Sequence, residues 1–172
     1  ARTSPLLHAN VAWLPELGSR FAVGLDGLST ILTLLTAICF PLIFISTWRD
    51  KYSKPWNFYA LMLLSQAGLI GVFVATDALL FYFFWELALI PVYFLSSQWG
   101  GERRIQATFT FFVYTFVGSL MMLIGIIWLY SHTADHSFSM ESFYALRMKI
   151  SGRDQNWIFW LMFVAFAIKM PI

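Results

Sequence analysis

Charge is what this chain has least of. Of its 172 residues only 12% are Asp, Glu, Lys or Arg, against 59% hydrophobic and 19% aromatic, and the mean hydropathy is +0.70. A soluble domain carries about twice that charged fraction, so a cytosolic enzyme and a disordered chain are both excluded. The formal net charge is +2, which leaves no basic field to hold nucleic acid. A single cysteine, Cys39, excludes a disulfide framework and a multi-cysteine metal site; it reads as a small buried apolar residue. There is no Gly-rich phosphate loop, CxxC pair or haem-ligand pattern. His132 and His136, with Asp135 between them, are too sparse for a metal-ligand set. What the chain has instead is long apolar runs.

A membrane-spanning helix needs roughly 20 mostly apolar residues, and five stretches approach that: 28–48, 57–75, 78–99, 107–130 and 157–172. The expected fold class is therefore all-α, a polytopic transmembrane helix bundle of five spans. The first span contains Pro41, a candidate kink. Residues 1–172 form a single membrane domain. The chain starts at Ala1-Arg2 and stops at Pro171-Ile172 inside the fifth apolar run, which reads as a truncated last span and a fragment of something longer. Trp48, Trp56, Trp99, Trp128, Tyr130 and Trp157 fall at span boundaries, where amphipathic rings favour the headgroup level. Arg49, Lys51 and Lys54 crowd one short loop, and Arg103 and Arg104 another. The positive-inside rule then puts both loops inside and residues 1–27 and 131–156 outside. In that outer loop Ser139 is positioned to cap a short amphipathic helix over 139–150, with Gly152 as its stop signal.

Two ionisable side chains break the apolar runs. Glu86 lies about 12 Å down the third span, where a carboxylate costs several kcal/mol unless it is paired, hydrated or protonated. Tyr82, Glu86, Tyr93 and Ser97 share one helix face, so this span presents a polar stripe to a protein interior or a water-filled path. Lys169, about 18 Å beyond Trp157 along a helix running the same way, reaches a similar depth and is the natural partner. An opposite charge holds a carboxylate ionised, and withdrawing it favours the protonated form. Pro171 removes a backbone hydrogen bond beside that lysine, as in the broken helices that line membrane cavities. The bland alternatives are a hydrogen bond that locks two helices, and a lysine snorkelling to the surface. Thr108, Thr115 and Ser119 share one face of the fourth span and are candidates for a polar relay. Ser65, Gln66, Gly68, Gly71, Gly118 and Gly125 read as helix-packing positions. Asp26 and Asp77 sit at the outer boundary, where carboxylates are ordinary.

The strings GLDGLS from Gly24, FYFFWELALIPVYFL around Glu86, WGGERRIQA from Trp99, FFVYTFVGSL from Phe111 and FAIKMP from Phe166 cover nearly the whole chain. Together they resemble the antiporter-like M subunits of proton-pumping NADH:quinone oxidoreductase, respiratory complex I, whose mitochondrial counterpart is subunit 4. The resemblance implies an antiporter-like fold of about fourteen helices and proton transfer through Glu86 and Lys169. It also implies that the chain is a translocase subunit without a redox centre of its own. NADH, FMN, iron–sulfur clusters and quinone would then be bound by partner subunits. The implied neighbours are the paralogous L and N subunits and the lipid bilayer, with no nucleic acid. The bacterial plasma membrane is the expected location and an organellar inner membrane the alternative. Thr110 stands where members often carry a lysine, which puts a charge there in doubt. Other readings are a sodium/proton antiporter subunit or membrane-bound hydrogenase subunit of the same superfamily, and a structural membrane scaffold.

Overall fold

The computed structural model describes residues 7–170, with nothing said of the Met148 side chain. Pro171, expected to break the last helix, lies outside the described residues. The chain begins with an antiparallel hairpin, β1 (Leu7–Leu14) and β2 (Ser19–Leu25), joined by a short 3-10 turn. Gly18 closes that turn at φ 68°, a left-handed conformation that favours glycine. Four long helices follow: α1 (Gly27–Thr47), α2 (Pro55–Val74), α3 (Ala78–Trp99) and α4 (Arg104–His132). A short α5 (Met140–Ala145) precedes α6 (Gly152–Lys169).

The helical bundle is as expected, with differences in detail. First, residues 7–25 form a β-hairpin, where an all-α fold was expected. Second, the outer-loop helix is shorter than 139–150. Ser139 does cap it, accepting from the Glu141 N–H, but α5 ends at Ala145 and gives way to a 3-10 turn. Third, Gly152 starts α6 and stops nothing: Ser151 is the cap, accepting from the Asp154 N–H. Four helices, α1 to α4, are long and apolar enough to cross a membrane. The fifth expected span falls short among the described residues, because α6 opens on the polar run Gly152–Asn156 and its apolar part begins only at Trp157.

Burial is inverted relative to a water-soluble protein. Ile31, Ile45 and Ile105 are 65%, 71% and 71% exposed, while Thr36, Ser65, Thr108, Thr115 and Ser119 are buried. Small and hydroxylated residues at helix contacts, with large apolar residues outside, is the pattern of packing in lipid. Cys39 belongs to the outer surface: it is exposed, not buried, because Thr36 and Phe40 occupy the packed stripe of α1. The protein is an integral membrane protein.

Helices α2, α3 and α4 each pack against their predecessor, and α6 packs on α4. Helix α1 is fixed at its start by a capping box between Asp26 and Ser29. The Ser29 backbone N–H, and secondarily its hydroxyl, hold the Asp26 carboxyl below the usual carboxylate range. The closest approach is between α2 and α3. A methyl on Gly68 would lie 2.9 Å from the Cα and N of Ala88, backbone atoms that cannot rotate aside. Gly68→Ala is therefore expected to lower stability by about 1–3 kcal/mol. Gly101→Ala, with open space around its new methyl, is the neutral control. Equal thermal inactivation of the two variants, assayed in membranes, would contradict this packing.

Candidate proton-transfer site

The two ends of the bundle differ in kind, and this sets the depth of the site. At one end the basic loops are tied by the Trp99 indole, which donates to the Ser53 carbonyl over 3.0 Å. At the other, Asp77 forms a buried junction, 2% exposed. Its Oδ1 accepts from the Ser19 hydroxyl and from the Leu79 and Leu80 N–H groups; its Oδ2 accepts from the Arg20 N–H. Around it Thr76 N–H donates to Ala22, Ala78 N–H to Phe138, and Met140 N–H to Thr76. Hairpin, α3 start and outer loop are thus joined at one point. At the sequence level Asp77 looked like an ordinary boundary carboxylate; its burial shows that it is an organising one.

Glu86 lies nine residues along α3 from Asp77, about 13 Å down the helix. It is partly buried, and its Oε1 is shielded and has no hydrogen-bond partner within the described residues. Helix α6 brings Lys169 alongside, within electrostatic reach of the carboxylate. The two are not in a direct ion pair. The Lys169 ammonium sits instead over the Trp85 ring, 4.5 Å from its centroid. Phe166, one turn earlier on α6, meets the same indole edge-on at 5.3 Å and 87°. One aromatic ring of α3 is therefore clasped by two residues of α6.

The candidate relay residues divide. Tyr82 is close to Glu86 and lies near Ser119 on α4. Ser119 donates to the Phe116 carbonyl, and Thr115 to those of Phe111 and Phe112, so both hydroxyls are turned back on their own helix. Thr108 is buried near the start of α4. Tyr93 packs edge-on against Phe112, 5.2 Å between centroids, in an apolar cavity with Ile90, Phe94 and Phe109. Ser97 donates to the Phe94 carbonyl. Tyr82, Ser119, Glu86 and Lys169 are brought together; Tyr93, Ser97 and Thr108 are not part of that cluster. Trp85 was missed in the sequence. Its signal was available: a tryptophan well inside a span, beside an ionisable residue, is not explained by an interfacial belt.

Residues 75–172 match the membrane family described as NADH:quinone oxidoreductase/Mrp antiporter, TM. The chain belongs to this family. The match begins just before Asp77 and takes in the whole Glu86–Lys169 site. Among family relatives, the chain is 40% identical over 169 residues to F(420)H(2) dehydrogenase subunit M of Methanosarcina mazei, covering 95% of this chain and 34% of the relative. It is 37% identical over 163 residues to NADH-quinone oxidoreductase subunit M of Rickettsia conorii, covering 94% and 32%. With NAD(P)H-quinone oxidoreductase chain 4 of Acaryochloris marina the figures are 39% over 165 residues, 93% and 29%. The chain thus spans about a third of the length of these relatives. Its fold matches a solved Mrp complex from Dietzia with a TM-score of 0.86 at 20% identity, covering 95% of this chain and 18% of that one. It also matches an archaeal membrane-bound sulfane sulfur reductase complex at 0.77 and 24% identity, covering 96% and 26%. These two likenesses carry the fold, which is that of the antiporter-type membrane complexes.

Proposed function

We propose that this chain is the Glu–Lys portion of a proton-translocating subunit in the membrane arm of a redox-driven quinone oxidoreductase. The observation that carries the reading is the approach of Glu86 and Lys169, from two helices of an apolar bundle, without a fixed ion pair. A permanently bonded pair would serve as a lock; a carboxylate with an open oxygen beside a movable ammonium can hold and release a proton. The scaffold reading fits this geometry less well for the same reason.

Two relatives named as quinone oxidoreductase subunits and one named as a dehydrogenase subunit support the redox coupling, and they are named for different donors: NADH, NAD(P)H and F(420)H(2) respectively. The donor is then chosen elsewhere in the complex, and this chain carries the part shared by all. NADH or a similar donor, FMN, iron–sulfur clusters and quinone reside on partner subunits, with the L- and N-type antiporter-like subunits as membrane neighbours. The basic loops Arg49–Lys54 and Arg103–Arg104 face the side of proton uptake, in a bacterial plasma membrane.

Inverted vesicles from a strain lacking the gene, complemented with its full-length form, test this reading against sodium/proton antiport. Electron flow from donor to quinone is expected to acidify the vesicle lumen only in the complemented strain. Proton movement driven by a sodium gradient alone, with no requirement for donor, would favour the antiporter instead.

A further inference from the structure

Trp85 occupies an unusual place. It precedes the buried carboxylate directly, and its ring is the surface on which the Lys169 ammonium rests, 4.5 Å from the centroid. An ammonium over an indole face is held by the ring quadrupole, tryptophan being the strongest of the aromatic partners, and more firmly where water is excluded. Phe166 and Lys169 are three residues apart on α6, so they share one face and grip the indole together, Phe166 by a perpendicular edge contact. Trp85 and Glu86, as successive residues of α3, point about 100° apart on the same turn. A lysine stem with four rotatable carbons can reach from one to the other without moving either helix.

We infer that Trp85 is a positioning residue: its ring is a second seat for the Lys169 ammonium, in competition with the Glu86 carboxylate. This rests on the proton-transfer reading of Glu86 and Lys169. With the ammonium on the ring, Glu86 carries its proton and the pair bears a charge of +1. When the ammonium swings to the carboxylate, the proton leaves to a neighbouring acceptor along the path and the pair becomes neutral. Return of the ammonium to Trp85 readies Glu86 to take up the next proton. The open Oε1 of Glu86 is what the ammonium would meet on the swing. Without the ring the lysine has one seat, and the pair is held in its ion-paired state.

The strength of a cation–ring contact places the shift between the seats at about 2- to 30-fold. The experiment uses the full-length subunit in the assembled complex, in inverted vesicles matched for complex content, and reads protons moved per donor oxidised. Trp85→Leu, which keeps bulk and removes the ring, is expected to lower that ratio by about three-fold or more, with Trp85→Phe in between. Ring-fluorinated tryptophans placed at position 85 keep the shape and progressively weaken the quadrupole. The ratio is expected to fall stepwise with fluorine number, a response that a space-filling role would not give and that does not depend on Leu being tolerated. A flat fluorine series, with Glu86→Gln still unable to pump, would overturn the seat and leave the proton-transfer reading standing. Normal pumping by Glu86→Gln would overturn both.

Discussion

Glu86→Gln is expected to reduce redox-driven proton pumping at least ten-fold while leaving the amount of assembled complex close to wild type. Glutamine has the same shape and the same number of side-chain heavy atoms, so the packing of α3 against α2 and α4 is retained. What it cannot do is take up or release a proton at this depth, and it offers Lys169 no counter-charge. The burial of one uncompensated charge favours folded states in which the ammonium keeps to the Trp85 ring or draws water towards itself. Assembly is spared because in the structure Lys169 already rests on that ring and not on the carboxylate. Lumen acidification in inverted vesicles, normalised to complex content on native gels, is the measurement. Wild-type pumping by a fully assembled Glu86→Gln complex would remove Glu86 from the proton path. Collapse of assembly instead would make the residue a helix lock, and in that case Glu86→Asp should not rescue it.

The contrast between these outcomes shows which parts of the molecule could be read from its residues. The long helices were legible because apolar runs of span length in lipid have one structural solution: backbone groups must bond within the segment. Glu86 and Lys169 were legible for the complementary reason, that charge at such depth is too costly to be incidental. The hairpin was not. The stretch Leu7–Leu14 reads LHANVAWL, with weak alternation and few β-branched residues, and its pairing with Ser19–Leu25 is stabilised by a carboxylate 57 and 58 residues away. Nothing local announces that contact. Polar stripes misled in a similar way. Tyr82 and Tyr93 share a helical face, but Tyr93 meets the aromatic wall of α4 at Phe112, whereas Tyr82 meets Ser119. Which neighbour a residue faces is set by helix packing, and periodicity along one helix carries no record of it. The same limit hid Trp85, whose role depends on where α6 lies.

Asp77→Ala is expected to cost about 3–5 kcal/mol, a large part of the 5–15 kcal/mol by which a typical domain is stable, and to deplete the assembled complex severalfold. The size follows from what the carboxylate holds. It caps α3 through Leu79 and Leu80, and it anchors β2 through Ser19 and Arg20. Truncation leaves four donors without their acceptor, and Ser19, itself only 1% exposed, cannot turn to water. Asp77→Asn separates the two duties. An amide oxygen in the Oδ1 position keeps the Ser19 and α3-cap bonds, while its NH2 group confronts the Arg20 N–H, donor against donor. This variant should therefore lose only the Arg20 bond and fall between wild type and Ala in heat resistance. Its expected signature is faster proteolysis within residues 7–25 at unchanged cleavage elsewhere. Asp77 also fixes where α3 begins, and hence how deep Glu86 lies, about 13 Å further on. A surviving fraction of Asp77→Ala complex should then move fewer protons per donor oxidised, because a frayed first turn lets Glu86 shift relative to Lys169 on α6. If Asp77→Ala assembles and resists heat like wild type, the junction does not carry this load, and the depth of Glu86 must be set by the α2–α3 and α4–α6 contacts alone.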